Sequence, residues 1–202
     1  MKTRARTLVL ALVALVALSG IASAAANAAV WKFNGTELTT TETAVGAAIS
    51  SKLTIPGATT ECEHFLYNMK IKNSSGSGKG EITELPLYEC HTGSEICTVK
   101  SIAAEKLPWP THLTTVSGKD YIVIEDVDVN IDYSGELCSL GRVKVSGSAG
   151  GVINNEEETA TFNKTTLEAT GTSLKVGSSS VEWTGVFPTE PFEKHREERL
   201  EG

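Results

Sequence analysis

Glu61-Cys62-Glu63-His64-Phe65-Leu66-Tyr67-Asn68-Met69-Lys70-Ile71-Lys72 is followed by a Ser/Gly-rich loop and then by Gly80-Glu81-Ile82-Thr83-Glu84-Leu85-Pro86-Leu87-Tyr88-Glu89-Cys90. Apolar and polar residues alternate on both sides of a Gly-rich connection, the pattern of a strand pair. Folded about the loop Asn73 to Lys79, the segment sets Phe65 opposite Leu87 and Tyr67 opposite Leu85 on one face. The same register sets Cys62 opposite Cys90 on the other face, close enough for a disulfide clamp.

The rest of the chain carries the same signature. Val30 to Phe33, Glu37 to Thr43, Lys52 to Ile55, Thr98 to Ile102, Leu113 to Val116, Tyr121 to Tyr133, Arg142 to Gly147, Val152-Ile153, Thr159 to Phe162, Thr172 to Val176 and Val181 to Phe187 all read as strands. Turn signals separate them, among them Asn34-Gly35, Pro56-Gly57, Ser117-Gly118 and Gly150-Gly151. Thr43 to Ser51 reads as a helical turn or an irregular crossover. The expected fold is all-β, a sandwich or barrel of about a dozen short, mostly antiparallel strands.

The chain opens with Lys2, Arg4 and Arg6, an apolar run from Leu8 to about Leu18, and small residues ending in Ala26-Asn27-Ala28. That order is a secretory leader, here placed at residues 1–28, and its apolar run is short for a spanning helix. The expected organisation is leader, one β domain over 29–188, and a charged tail over 189–202. No later stretch has spanning length, and the expected location is the extracellular space or cell envelope. The leader holds three basic residues and no acidic ones, so its removal takes the formal charge from −7 to −10. Such an acidic protein repels phosphate backbones, and nucleic acid is excluded as a partner.

Four cysteines, Cys62, Cys90, Cys97 and Cys138, read as two disulfides in an oxidising compartment. The hairpin register favours Cys62–Cys90 with Cys97–Cys138, and Cys90–Cys97 with Cys62–Cys138 is the competing pairing. His64 and His91 flank the first two cysteines, but their spacings match no common zinc pattern. No cofactor is expected.

Candidate sites are few. Trp109, between Pro108 and Pro110, is the candidate indole for stacking on a flat ligand such as a sugar, with His112 nearby; a buried Trp plugging one end of the barrel is the commoner use of such a residue. Asp126, Asp128, Asn130 and Asp132 share one face of a long strand, with Tyr121, Val123, Val127, Val129, Ile131 and Tyr133 on the other. Asp126, Asp128 and Asp132 form a weak cation candidate, although Ile131 stands where a calcium loop needs Gly. Asn73 to Gly80 lacks the residues of a phosphate loop, and Gly147-Ser148-Ala149-Gly150 is too short for a nucleophile elbow. Glu84, Glu89, Asp126 and Asp128 are the carboxylates a glycosidase would draw on.

The order of leader, Cys62, Gly/Ser hairpin, Glu89-Cys90, Cys97, Leu107-Pro108-Trp109, Cys138 and Val145-Ser146-Gly147-Ser148-Ala149-Gly150-Gly151 resembles a group of uncharacterised secreted four-cysteine β proteins from actinobacteria. The resemblance implies export and a stapled β domain, and it carries over no catalytic residue. The expected function is a non-enzymatic module that binds a small ligand, a glycan or a protein surface. A secreted polysaccharide hydrolase and a purely structural or adhesive envelope protein are the alternatives.

Overall fold

The computed structural model describes residues 29–33 and 36–188. The leader expected over 1–28, the turn expected at Asn34-Gly35 and the tail expected over 189–202 lie outside the described residues. Thirteen strands and one short helix make up the rest. They are β1 (Lys32–Phe33), β2 (Thr36–Glu37), β3 (Glu42–Ile55), β4 (Ala58–Ser74), β5 (Ser77–Glu84), β6 (Leu87–Thr92), β7 (Thr98–Ala104), β8 (Trp109–Val116), β9 (Lys119–Ser134), β10 (Arg142–Asn154), β11 (Thr159–Phe162), α1 (Lys164–Thr170), β12 (Leu174–Val176) and β13 (Ser179–Pro188).

β1 and β2 form a small ribbon, and the other eleven strands form one sheet. Its order runs β10-β12-β13-β3-β4-β5-β8-β9, and a further β9–β10 pairing closes the ring. Closure removes the exposed edges that an open sheet would carry. Every pair is antiparallel. The all-β, twice-stapled architecture expected from the sequence is therefore present, as a closed barrel.

Two strands run far past the segments whose alternation marked them in the sequence. β3 runs through the Ala-rich segment read as a helical turn, and β10 runs straight through Gly150-Gly151. Both glycines face bulky groups rather than turning the chain. A Cβ on Gly150 would sit 2.0 Å from Thr170 Oγ1, and one on Gly151 would sit 2.7 Å from the Phe162 ring. Three of the long strands carry two half-strands along one edge: β5 and β6 on β4, β8 and β7 on β9, β11 and β12 on β10.

α1 lies between β11 and β12 in the chain and sends Leu167 into the core. Asn163 caps it by accepting from Thr166 N, while Thr166 Oγ1 accepts from Asn163 N, and Gly171 ends it at φ 67°. That reciprocal cap was present in the sequence but unread, because seven residues give too little periodicity to register.

The barrel interior is filled. Phe187 centres an aromatic cluster, with ring centroids 4.5 Å from Phe65, 4.8 Å from Phe162 and 5.3 Å from Trp183. Trp183 Nε1 donates to Ser51 Oγ at 2.7 Å, so the indole is buried with its polar edge satisfied. Elsewhere Thr60 Oγ1 and Tyr133 OH share a hydrogen bond of 2.6 Å between β4 and β9, strands that do not pair. Trp109, Ile131 and Val145 are fully enclosed.

Two kinks decide which side chains reach this core. Ser50 and Glu89, in the strands flanking Glu63, take left-handed φ values of 66° and 51°. On one side of that level Phe65, Tyr67 and Met69 point inward; on the other Ala58, Thr60 and Cys62 do. Cys62 is therefore on the core side and buried, which corrects its expected placement on the face opposite Phe65.

The second kink is a bulge in β9. Glu125 and Asp126 together oppose Ser148, and Asp126 has φ 53°. Ile122 and Ile124 face the core before the bulge, and Val127, Val129, Ile131 and Tyr133 after it. Tyr121 and Val123 thus lie on the side opposite Val127, contrary to the continuous alternation read from the sequence. One extra residue reverses every later side chain.

Candidate functional site

The sulfurs pair Cys62–Cys90 and Cys97–Cys138, the arrangement favoured by the hairpin register, and the described residues include no free cysteine. The register itself holds: Phe65 faces Leu87, and Cys62 faces Cys90. Beyond Asn68 it slips by one residue, so Met69 meets Ile82 and the turn tightens to Ser75-Gly76.

Trp109 is fully buried, and its Nε1 donates to the Glu105 carbonyl at 2.8 Å. It plugs the barrel and presents no ring face to a sugar. His112 sits on β8, and its Nδ1 lies 3.3 Å from Glu125 Oε1 at the β9 bulge. Glu125 lies two residues beyond Val123, the partner of His112 in the β8–β9 ladder, so the pair depends on a strand pairing that neighbours in the chain do not reveal.

The acidic face of β9 is a row of ion pairs. Asp128 is buried, and its Oδ2 accepts from Lys106 Nζ and Lys144 Nζ, each at 2.8 Å. Asp132 is bound through two nitrogens by Arg142, at 2.7 and 2.9 Å, and by Ser101 Oγ at 3.0 Å. Two of the three cation candidates already have their charge matched by protein cations, and Asp126, on the bulge, also acts electrostatically on Lys106. Lys106 and Lys144 were missed because neither neighbours Asp128 in the chain.

Burial pushes the Asp128 carboxyl up, but the hydrogen bonds from Lys106 and Lys144 outweigh it and hold it below its ordinary value. A carboxyl lowered by folding stabilises the protein above the ordinary carboxylate range near 4 and loses that contribution as pH falls through its folded value. The wild type should therefore lose unfolding free energy between pH 5 and pH 2 more steeply than Asp128→Asn, as read by urea titrations across that range. Parallel slopes for the two proteins would refute this role.

Three of the four carboxylates considered for hydrolysis have separate partners. Glu84 accepts from Asn68 Nδ2, Glu89 lies 3.7 Å from His64 Nε2, and Asp128 lies between its lysines. Glu63, His64 and Glu89 bring one ligand atom each within 4.8 Å of one another on the outer surface at the first kink. All three are exposed, and a surface pair at this spacing contributes little to stability.

The large apolar side chains that stay outside form the other surface feature. Ile96 and Leu137 are 53% and 77% exposed, and each directly precedes a half of the Cys97–Cys138 bridge. Leu66 and Tyr88 lie together on the outer faces of β4 and β6. Nothing in the period-2 pattern distinguishes these from core positions, although an apolar residue beside a loop cysteine is a usable signal.

Together these observations define a disulfide-stapled, side-chain-filled antiparallel β-barrel, of the kind that belongs in an oxidising compartment. Among the described residues no helix is long and apolar enough to cross a membrane. The chain belongs to the alkane oxidation protein activator PraA/PraB-like family, whose model matches residues 1–191. No curated protein and no solved structure matches it.

Proposed function

We propose that this protein is a secreted, non-enzymatic barrel that promotes alkane oxidation by acting on the hydrocarbon–water boundary through its outer surface. The observation that carries this reading is where the apolar groups go. The interior is occupied by its own aromatic and aliphatic side chains, while Ile96, Leu137, Leu66 and Tyr88 remain outside. A family named for activating alkane oxidation supplies the class of hydrophobic material. The leader and the resemblance to secreted four-cysteine proteins support export.

The alternative of a polysaccharide hydrolase needs two carboxylates converging in a cleft, and the separate partners of Glu84, Glu89 and Asp128 speak against it. The adhesive reading is a neighbour of the proposal, since both use the exterior of a filled barrel. The test is addition of the purified, oxidised protein to hexadecane and buffer. Interfacial tension should fall in proportion to protein concentration, with no alkane consumed. Unchanged tension would defeat the proposal, and so would alcohol or acid formed by the purified protein.

A further inference from the structure

We infer that the loops bearing Ile96 and Leu137 form the contact tip that enters an uncharged liquid hydrocarbon phase; this rests on the function proposed above. The Cys97 and Cys138 Cα atoms are 4.9 Å apart. Adding one Cα step on each side places the Ile96 and Leu137 Cα atoms no more than about 12.5 Å from each other. These are the two most exposed of the large apolar residues.

The loops cannot readily tuck these side chains away. Gly135 has φ 143°, and a Cβ there would stand 2.2 Å from the Ile96 carbonyl oxygen, so the two backbones are already in contact. Cys138 N donates to Gly135 O at 3.1 Å, and Thr92 Oγ1 donates to the Cys97 carbonyl across the preceding loop. A stapled tip holds its apolar groups in water, ready to be covered without an ordering cost at contact.

Charge selects the occupant. Glu95 and Glu136 flank the two apolar residues and are exposed, and no Lys or Arg occurs in 92–97 or 134–141. Anionic lipid surfaces attract segments rich in Lys and Arg, and this tip carries the opposite sign. A phase with no headgroups imposes no such repulsion.

The experiment uses the full mature protein, oxidised, with hexadecane droplets and with vesicles of zwitterionic or mixed zwitterionic and anionic lipid. Ile96→Ser combined with Leu137→Ser should weaken partitioning onto droplets on the order of tenfold or more. Val186→Ser, at an exposed apolar position on β13, should retain most of it. Glu95→Lys with Glu136→Lys should leave droplet binding in place and create binding to anionic vesicles. Unaltered unfolding midpoints verify that each variant is folded.

If the wild type binds droplets and the Ile96/Leu137 variant binds equally well, the tip is wrong and the functional proposal survives. If the wild type does not bind droplets, both fall. Tighter wild-type binding to anionic vesicles than to droplets would overturn the choice of occupant.

Discussion

Trp109→Ala should lower the unfolding free energy by about 3–5 kcal/mol, seen as a fall in the urea midpoint with little change in slope. Trp109 is among the largest fully buried side chains, at the start of β8 and in register with Ile82 of β5. Removing the indole opens a cavity between strands whose positions are fixed by the closed ladder, so the surrounding wall can relax only in part. Trp109→Phe should cost less, since it keeps a ring but leaves the Glu105 carbonyl without its donor, a loss of about 1–3 kcal/mol by itself. A surface stacking residue would behave in the opposite way, changing ligand binding and leaving stability within about 0.5 kcal/mol of wild type. That outcome would return Trp109 to the outside of the molecule.

The contrast shows what the sequence could and could not reveal about this residue. Prolines on both sides of Trp109 left ligand stacking and barrel plugging both open, the plug being the commoner, and the structure begins β8 at the tryptophan and buries it. The hairpin around Cys62 and Cys90 was legible because its period-2 pattern and its two cysteines specify the same register. The inward and outward assignments were legible only as far as the next kink. Ser50, Glu89 and Asp126 all adopt positive φ without being glycine, so none left a composition signal at the point where a strand changes face. Gly147, at φ 138° with a virtual Cβ only 2.1 Å from the Ser173 carbonyl oxygen, did leave one, but it reads equally well as a turn.

The candidate site followed the same rule. Disulfide pairing came from residues whose chemistry is specific, and all four cysteines were identifiable. The acidic row on β9 was visible, but its neutralisation depends on Lys106 before β8 and on Lys144 in β10. Long-range pairing decides whether such a row binds a metal ion or is closed by its own lysines, and spacing along one strand contains no information on that.

Loss of both disulfides should leave the chain largely unfolded at 37 °C. Chain-entropy arguments applied to the sequence separations of 28 and 41 residues assign about 3.5 kcal/mol to Cys62–Cys90 and about 4 kcal/mol to Cys97–Cys138 at 25 °C. Their sum, about 7.5 kcal/mol, is comparable with the whole stability of an ordinary domain, about 5–15 kcal/mol. The first bridge joins residues already opposite one another in the β4–β6 ladder, but Cys62 lies in the core, so Cys62→Ala with Cys90→Ala adds a void to the entropic loss. The second joins the loop after β6 to the loop after β9 and fixes the β7 side of the barrel, so Cys97→Ala with Cys138→Ala should loosen residues 92–97 and 134–141 first, as faster amide exchange there. Thermal unfolding with and without reductant would measure the combined effect. A reduced protein melting within a few degrees of the oxidised one would mean that the closed ladder and its aromatic core are sufficient alone. The staples would then secure the exposed tip and contribute little to the fold.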